Sequence, residues 1–405
     1  MSTVNKSSNS WFREKVFLGL SFPKYLKVAS TPFNIIASLI MLAGLIVGII
    51  RFTKGLGYTT NLTDEYPWGL WIGFDLLCGV ALAAGGFMIA SAVHLFGLKE
   101  YRPILRPAIL TGFLGYFFVV VALLFDLGQP WRLPYPMIAS YGVASVMFLV
   151  AWHVALYLTV QFLEFSPAIF EWLNMKAARR WILRIMVGVC IAGVILSMLH
   201  QSALGALFLL APLKVHPLWY SSLIPIFFFV SAIAAGLSMV IFESMLSHRF
   251  FKHQVEGENA YDINTITIGL GKACSVVLIA YFFLKWIGVA HSNNWELLAT
   301  PYGYWFLVEI FGFVLLPAIL FGIGVRSKRV ALVRFAAILT VLGIIVNRLN
   351  VSVIAYKWDE PIGYYPSWSE VILTIAIITA GVVTYKWIVS RMPVLYKHSE
   401  YPEHE

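Results

Sequence analysis

The sequence predicts an all-α integral membrane protein of ten transmembrane helices, and three observations predict it. Hydrophobic residues make up 60% of the chain and charged residues 12%, with a mean hydropathy of +0.81; a soluble domain carries roughly a quarter charged residues. Ten stretches reach the length of about 20 mostly apolar residues that a helix needs to cross a bilayer. Lys and Arg collect in alternate loops, which sets membrane orientation. The net charge of +9 is therefore read as a topology signal, and nucleic acid is not expected as a partner.

Residues 1–30 form a cytoplasmic or interfacial segment. Lys6, Arg13, Lys15, Lys24 and Lys27 make it too charged for a cleavable signal, and WFREKVFLGL reads as an interfacial amphipathic helix. The first span lies near 31–51, and with its outer loop fills residues 31–66. The second, near 68–96, carries GVALAAGGFMIASA, whose small residues recur at spacing four and suit close helix contact. The third, near 104–126, runs into a DLGQPW turn. Further spans are expected near 137–164, 181–211, 218–247, 264–288, 303–325, 329–353 and 367–390. The last falls in the segment 359–393, and 394–405 is a cytoplasmic tail.

Orientation follows from the loops. The inner ones hold Lys99, Arg102 and Arg106, then Lys176, Arg179, Arg180 and Arg184, then Arg249 and Lys252, then Arg326, Lys328 and Arg329. Arg51, Lys54, Arg132, Lys214, Lys285, Arg348 and Lys357 are assigned to the outer side. This bias puts both termini in the cytoplasm. The outer loops are short and rich in aromatics and proline: YPWGLW, GQPWRLPYPM, HPLWY and EPIGYYPSW. An aromatic belt explains part of this, and an ordered surface for a docking partner explains the rest. Cys78, Cys190 and Cys274 are scattered through apolar segments, so no iron–sulfur cluster, attached haem or disulfide framework is expected in this chain.

Ionisable groups inside a membrane are costly and mark function by default. In LHQSALGALFLLAPLKVHPLW (199–219), His200 and Gln201 interrupt an apolar run. Helix rise puts His200 roughly 15 Å below the outer edge. Tyr116 falls at a similar depth, Asp75 at roughly 12 Å, and Asp126 at the outer rim. Glu309, Asn347, Arg348 and Asn350 share this outer layer, the last three as satisfied interface residues. The inner half is expected to hold His94, His153, Lys272, Glu164 and Glu243, with His153, Lys272 and Glu243 as candidates for a proton path. No metal site is expected. A haem needs an axial histidine pair at one depth; with His153 and His94 assigned to the inner half, none matches His200. A tyrosine, a histidine and a carboxylate in an apolar pocket suit a quinone, which takes hydrogen bonds on two carbonyls and two protons on reduction.

Several segments, in order, also resemble the NrfD-like family of polysulfide-reductase membrane subunits. They are PWGLWIGFDLLCGVALAAGGF (67–87), RPAILTGFLGY (106–116), DLGQPWRLPY (126–135), LEFSPAIFE (163–171), LHQSALGAL (199–207), KVHPLW (214–219) and SMVIFE (238–243). The likeness is greatest to the hydrogenase-2 "cytochrome b" branch. It implies two four-helix bundles, at 67–212 and 213–358, with one helix flanking each end, in a bacterial inner membrane. It further implies a haem-free chain that is not catalytic alone but reacts with menaquinone or ubiquinone. Implied partners are a periplasmic ferredoxin-like iron–sulfur subunit and a catalytic subunit, either a nickel–iron hydrogenase or a molybdopterin oxidoreductase. The family's quinone-site tyrosine and histidine map onto Tyr116 and His200, and Asp75 matches the aspartate of its WIGFD-type segment. Where the hydrogenase branch has an acid in the fourth helix this chain has Leu149, with His153 one turn on; proton translocation is left open. The expected function is electron exchange between an iron–sulfur partner and the quinone pool, at a site of Tyr116, His200, Asp75, Gln201 and Asp126. The alternatives are a secondary transporter, which would need helices broken in mid-membrane, and a passive membrane anchor.

Overall fold

The computed structural model describes residues 13–255, 262–360 and 363–396. Ten helices in it are long and apolar enough to span a membrane. They are α1 (Pro32–Lys54), α2 (Trp71–His94), α3 (Lys99–Asp126), α4 (Val146–Trp172), α5 (Lys176–Leu210), α6 (Ile224–Phe250), α7 (Ile263–His291), α8 (Pro301–Arg326), α9 (Val330–Ile354) and α10 (Trp368–Val389). Side-chain caps fix several starts by satisfying first-turn amides. Thr31, Ser145, Asp262 and Thr300 each accept from a backbone N–H of the first turn, and Ser367 and Glu370 close a reciprocal capping box on α10.

Helix contacts form two closed circuits. α2 packs on α3, α3 on α4, α4 on α5, and α5 returns to α2; α6 to α9 do the same. α1 and α10 pair with each other beside α3. The seam between the circuits is tightest at Gly85 and Gly236. A Cβ on Gly236 would lie 2.5 Å from the Gly85 nitrogen and 2.7 Å from the Ala84 carbonyl carbon.

The fourth span begins at Val146, nine residues later than expected. Pro134 and Pro136 permit only the short helix Tyr135–Ile138, and the chain stays irregular until Ser145 caps α4. The helix then runs through Pro167 to Trp172. Three spans contain π-helical turns, at Trp71–Leu76, Val308–Leu315 and Asn350–Ile354, a geometry that often accompanies functional sites.

Three of the cations assigned to the outer loops are buried in helices instead, and Lys54 ends α1. Arg51 lies in the last turn of α1, Lys285 in α7 and Arg348 in α9, all buried. Removing them from the loops sharpens the charge asymmetry. One end of the molecule, here called the basic end, carries the clustered Lys and Arg; the other is the opposite end. Both described chain ends meet at the basic end. Lys386 on α10 reaches Asn34 on α1 at 3.0 Å, and Arg391 donates to the Val16 carbonyl and to the Tyr25 hydroxyl. Tyr25 is on a short helix, Phe22–Ala29. Residues 1–12 of the N-terminal segment and 397–405 of the tail lie outside the described residues.

Candidate functional site

Small residues bring α2 and α3 together. A Cβ on Gly115 would sit 2.6 Å from that of Ala83, and one on Gly112 would sit 2.7 Å from Nε2 of Gln161 on α4. The close approach turns Tyr116 inward and buries it completely. Its ring meets Tyr157 of α4 at 4.6 Å between centroids, edge to face, and His200 of α5 at 5.6 Å.

Hydrogen bonds satisfy part of this buried cluster and leave its other polar atoms without partners among the described residues. Gln201 donates to the Val80 carbonyl at 3.0 Å and, at 3.5 Å, to the Tyr116 hydroxyl. Gln161 donates to the Tyr157 hydroxyl at 3.0 Å. His200 is 0% exposed, yet neither ring nitrogen has a partner among the described residues. The Ser197 hydroxyl, one turn before His200 on α5, is fully buried and has no hydrogen-bond partner among the described residues. Buried polar atoms are seldom left without partners, so this pocket holds unused donor and acceptor capacity.

The structure thus brings Tyr116, His200 and Gln201 together and places Asp75 and Asp126 elsewhere. Asp75 accepts from Thr374 of α10 at 2.9 Å. It cannot orient His200, whose nitrogens make no such bond. Asp126 ends α3 beside Arg51, which donates to the flanking carbonyls of Phe125 and Leu127 at 2.6 and 2.5 Å. These acids belong to the junction of α2 and α3 with α1 and α10. Glu370 completes that junction, accepting from the amides of Asn61 and Ser367 and from the Tyr364 hydroxyl. Burial, with Glu370 beside it, pushes the Tyr364 phenol well above its ordinary pKa.

The proton-path candidates also separate. His153 lies about 10 Å into α4 from the opposite end, so the late start of that helix puts it in the same half as His200, not the inner half. Lys272 is exposed on α7, where a long side chain can snorkel along apolar surface. Glu243 is held by Ser247 at 2.8 Å and Tyr385 at 2.5 Å.

Asn347, Arg348 and Asn350 are not interface residues. They surround Glu309 in the core of the second circuit. The Glu309 carboxylate accepts from Trp219, Asn347 and Asn350 at 2.6, 2.7 and 2.5 Å. Arg348 donates to Asn347, Ser231 and the Phe228 carbonyl, and its guanidinium lies 3.8 Å from the centroid of the Phe228 ring. The Lys285 ammonium rests between Phe227 and Phe306. The place of Asn347, Arg348 and Asn350 in the last turns of α9 is what made them read as interface residues.

The KVHPLW loop joins the two circuits and is tied to the chain beyond α9. Val215 and Tyr356 form an antiparallel bridge, and the His216 amide donates to the Ala355 carbonyl at 2.8 Å. The His216 ring sits among Tyr302, Trp358 and Trp219, with centroids 4.9, 4.8 and 5.6 Å away. Burial there pushes its pKa down to about 4.

The fold and this pocket define a multi-pass integral membrane protein with a buried tyrosine–histidine site in one of its helix circuits. A family model described as polysulphide reductase, NrfD, matches residues 59–357, and the chain belongs to that family. A protein of Nitratidesulfovibrio vulgaris is 52% identical over 93% of this chain and 98% of its own length. The probable Ni/Fe-hydrogenase 2 b-type cytochrome subunit of Escherichia coli is 30% identical over 94% of this chain and 96% of its own. The integral membrane subunit of the menaquinone reductase of N. vulgaris is 25% identical over 88% and 90% respectively.

Proposed function

We propose that this chain is the membrane subunit of a respiratory oxidoreductase complex in the cytoplasmic membrane, exchanging electrons between an iron–sulfur partner and the quinone pool. The observation that carries this reading is His200, buried beside Tyr116 with both nitrogens unpartnered. A quinone offers two carbonyl acceptors, and an imidazole N–H and a phenol O–H are the donors that match them. Reduction to quinol takes up two electrons and two protons, so polar groups able to move protons belong beside the ring. The menaquinone reductase relative supports a menaquinone-type head group.

Charge asymmetry supports the basic end as cytoplasmic. The opposite end, with exposed Trp131, Tyr141, Tyr365 and Trp368, then faces outward to receive the iron–sulfur subunit. The hydrogenase relative supports a catalytic subunit beyond it, a nickel–iron hydrogenase or a molybdopterin enzyme. The two helix circuits correspond to bundles at 67–212 and 213–358.

One relative's name includes "b-type cytochrome", which raises the question of haem. With His153 in the same half as His200, depth no longer separates the two histidines. Packing favours the smaller ligand. His200 is fully buried among the helices of the first circuit, and a quinone head makes a smaller demand on that packing than a macrocycle would. We therefore assign quinone and no haem to this chain.

The test is quinone turnover in the purified complex carrying His200→Ala. A loss of about a hundredfold is expected with assembly intact, in the range of a lost acid–base group. Full turnover by an assembled variant would sink the site. An absorption spectrum of the same preparation, showing a Soret band stoichiometric with this chain, would overturn the haem-free assignment.

A further inference from the structure

The pocket is the end of a longer polar row. On α4, Tyr157, Gln161 and Glu164 recur at the spacing that puts side chains on one face. On α5, Gly193, Ser197 and His200 face them. Glu164 lies about 10 Å from Tyr157 toward the basic end. A Cβ on Gly193 would come within 3.2 Å of the Glu164 Oε1, so the glycine leaves room beside the acid. Both carboxylate oxygens of Glu164, Oε1 of Gln161, the Ser197 hydroxyl and both nitrogens of His200 lack protein partners among the described residues. Isolated orphans are uncommon in native cores. A contiguous row of them is the arrangement that ordered water satisfies, at a few hydrogen bonds per molecule.

The row opens at the basic end. Glu164 lines a cavity of about 340 Å³ whose wall includes His94, Arg102, Arg106 and Arg179. An acid among arginines is usually one half of an ion pair. Here the pairing goes to another acid: Glu171 takes Arg106 at 2.8 Å and Arg179 at 2.7 Å, and Arg106 also donates to the Pro393 carbonyl. Glu164 is thus buried at 6% exposure, with Arg106 and Arg179 committed to Glu171, the cavity on one side and the polar row on the other. A structural carboxylate would be hydrogen-bonded, as Glu171, Glu309 and Glu370 are.

We propose that Glu164 is the proton entry of this subunit, passing protons between the basic-end cavity and the Tyr116–His200 pocket along Gln161, Ser197 and Tyr157. The proposal rests on the quinone reading of the pocket and names the side from which its protons come. For each quinone reduced, two electrons arrive from the iron–sulfur partner at the opposite end and two protons arrive from the basic end, giving quinol. Oxidation of quinol reverses both flows. Electrons and protons then reach the quinone from opposite faces, and turnover separates charge across the membrane. Lys272 and Glu243 stand outside this row; His153, one turn from Tyr157 on α4 with its Nδ1 also unpartnered among the described residues, lies on the far side of the Tyr116–His200 site from Glu164.

The test uses the whole complex in proteoliposomes, with a pH-sensitive dye on the basic-end side and a soluble menaquinone analogue. Glu164→Gln should slow turnover at least tenfold with the KM for the analogue unchanged, and Glu164→Asp should restore part of the rate. The dye should report proton uptake tied to turnover in the wild type, reduced in step with the rate in Glu164→Gln. Ser197→Val, which keeps the acid and breaks the row, should behave likewise, and it covers the case in which Glu164→Gln fails to assemble. Wild-type rate and unchanged dye signal in either assembled variant would overturn the proposal. Direct binding of the analogue separates the two readings. Retained binding in Glu164→Gln with loss in His200→Ala leaves the pocket standing, whereas undiminished binding in His200→Ala overturns the pocket and the path that leads to it.

Discussion

Tyr116 and His200 face each other with ring centroids 5.6 Å apart and planes inclined at 56°, on helices α3 and α5, which stand across the first circuit from each other. The phenol carries one long contact, from Gln201 at 3.5 Å, so its hydroxyl remains free to turn toward a ligand. Tyr116→Phe keeps the ring packing on Tyr157 and removes only that donor. A hydrogen bond of this type is worth about 1–3 kcal/mol when its loss strands a buried partner. The expected result is a quinone KM raised about tenfold or more with the complex fully assembled. An unchanged KM would show that the hydroxyl does not touch the quinone.

The spans were legible because each needs little more than length and apolarity, and the small-residue pattern on α2 pointed to the close crossing that buries Tyr116. Depth was legible only where the helix start was, since helix rise converts sequence position into distance; the late start of α4 moves His153 into the other half. The direction a side chain faces was not legible. Asp75 shares the layer of His200 but points to Thr374 on α10, and nothing in WIGFD distinguishes the faces of a helix that is apolar all round. The π-helical turn at Trp71–Leu76 also shifts the register that a 3.6-residue repeat would give. Arg348 and Lys285 looked like loop charges because charged residues are rarely buried unless paired; their partners come from helices distant in sequence. Glu164 was visible as an inner-half acid, but its importance lies in what Arg106 and Arg179 do with Glu171, which only the folded chain shows.

The seam at Gly236 should tolerate no side chain. Its neighbours at 2.5 and 2.7 Å are backbone atoms of Gly85 and Ala84, and backbone cannot swing aside as a flexible side chain can. Gly236→Ala is expected to destabilise the subunit by about 1–3 kcal/mol, in the range of an overpacked core, read as a lower thermal midpoint in detergent. Gly188→Ala on α5 is the control, because a Cβ there meets nothing within 4 Å. If both variants melt alike, the tight seam is not a determinant of stability.

The Glu309 cluster should be structural and intolerant of losing its one acid. Glu309→Ala would strand the donors of Trp219, Asn347 and Asn350 and leave Arg348 and Lys285 without a counter-charge. Breaking a buried charge network in this way costs about 3–5 kcal/mol. Trp219→Phe removes a single donor and should cost about 1–2 kcal/mol. The measurement is the thermal midpoint of the purified complex, with His200-dependent turnover per assembled complex as the second readout. A large loss of turnover at unchanged stability would reassign the cluster from scaffold to chemistry.

The loop that carries His216 should loosen in acid. In the folded chain burial holds this histidine near a pKa of about 4, against about 6.5 for an exposed one. The unfolded or detached loop therefore binds the proton first. The contribution is fully present above about pH 6.5 and is lost as pH falls from there through about 4. A protonated imidazole would have to leave the apolar side of the cage formed with Tyr302, Trp358 and Trp219 or bring water into it. It would also surrender the Nδ1 lone pair that accepts the Leu218 amide at 3.2 Å. Thermal midpoints of the wild type and of His216→Leu, compared at about pH 7.5 and about pH 5, isolate this group from every other acid-sensitive one. The wild type should lose more stability than the variant over that interval. Equal losses would mean that His216 does not report on the junction of the two circuits.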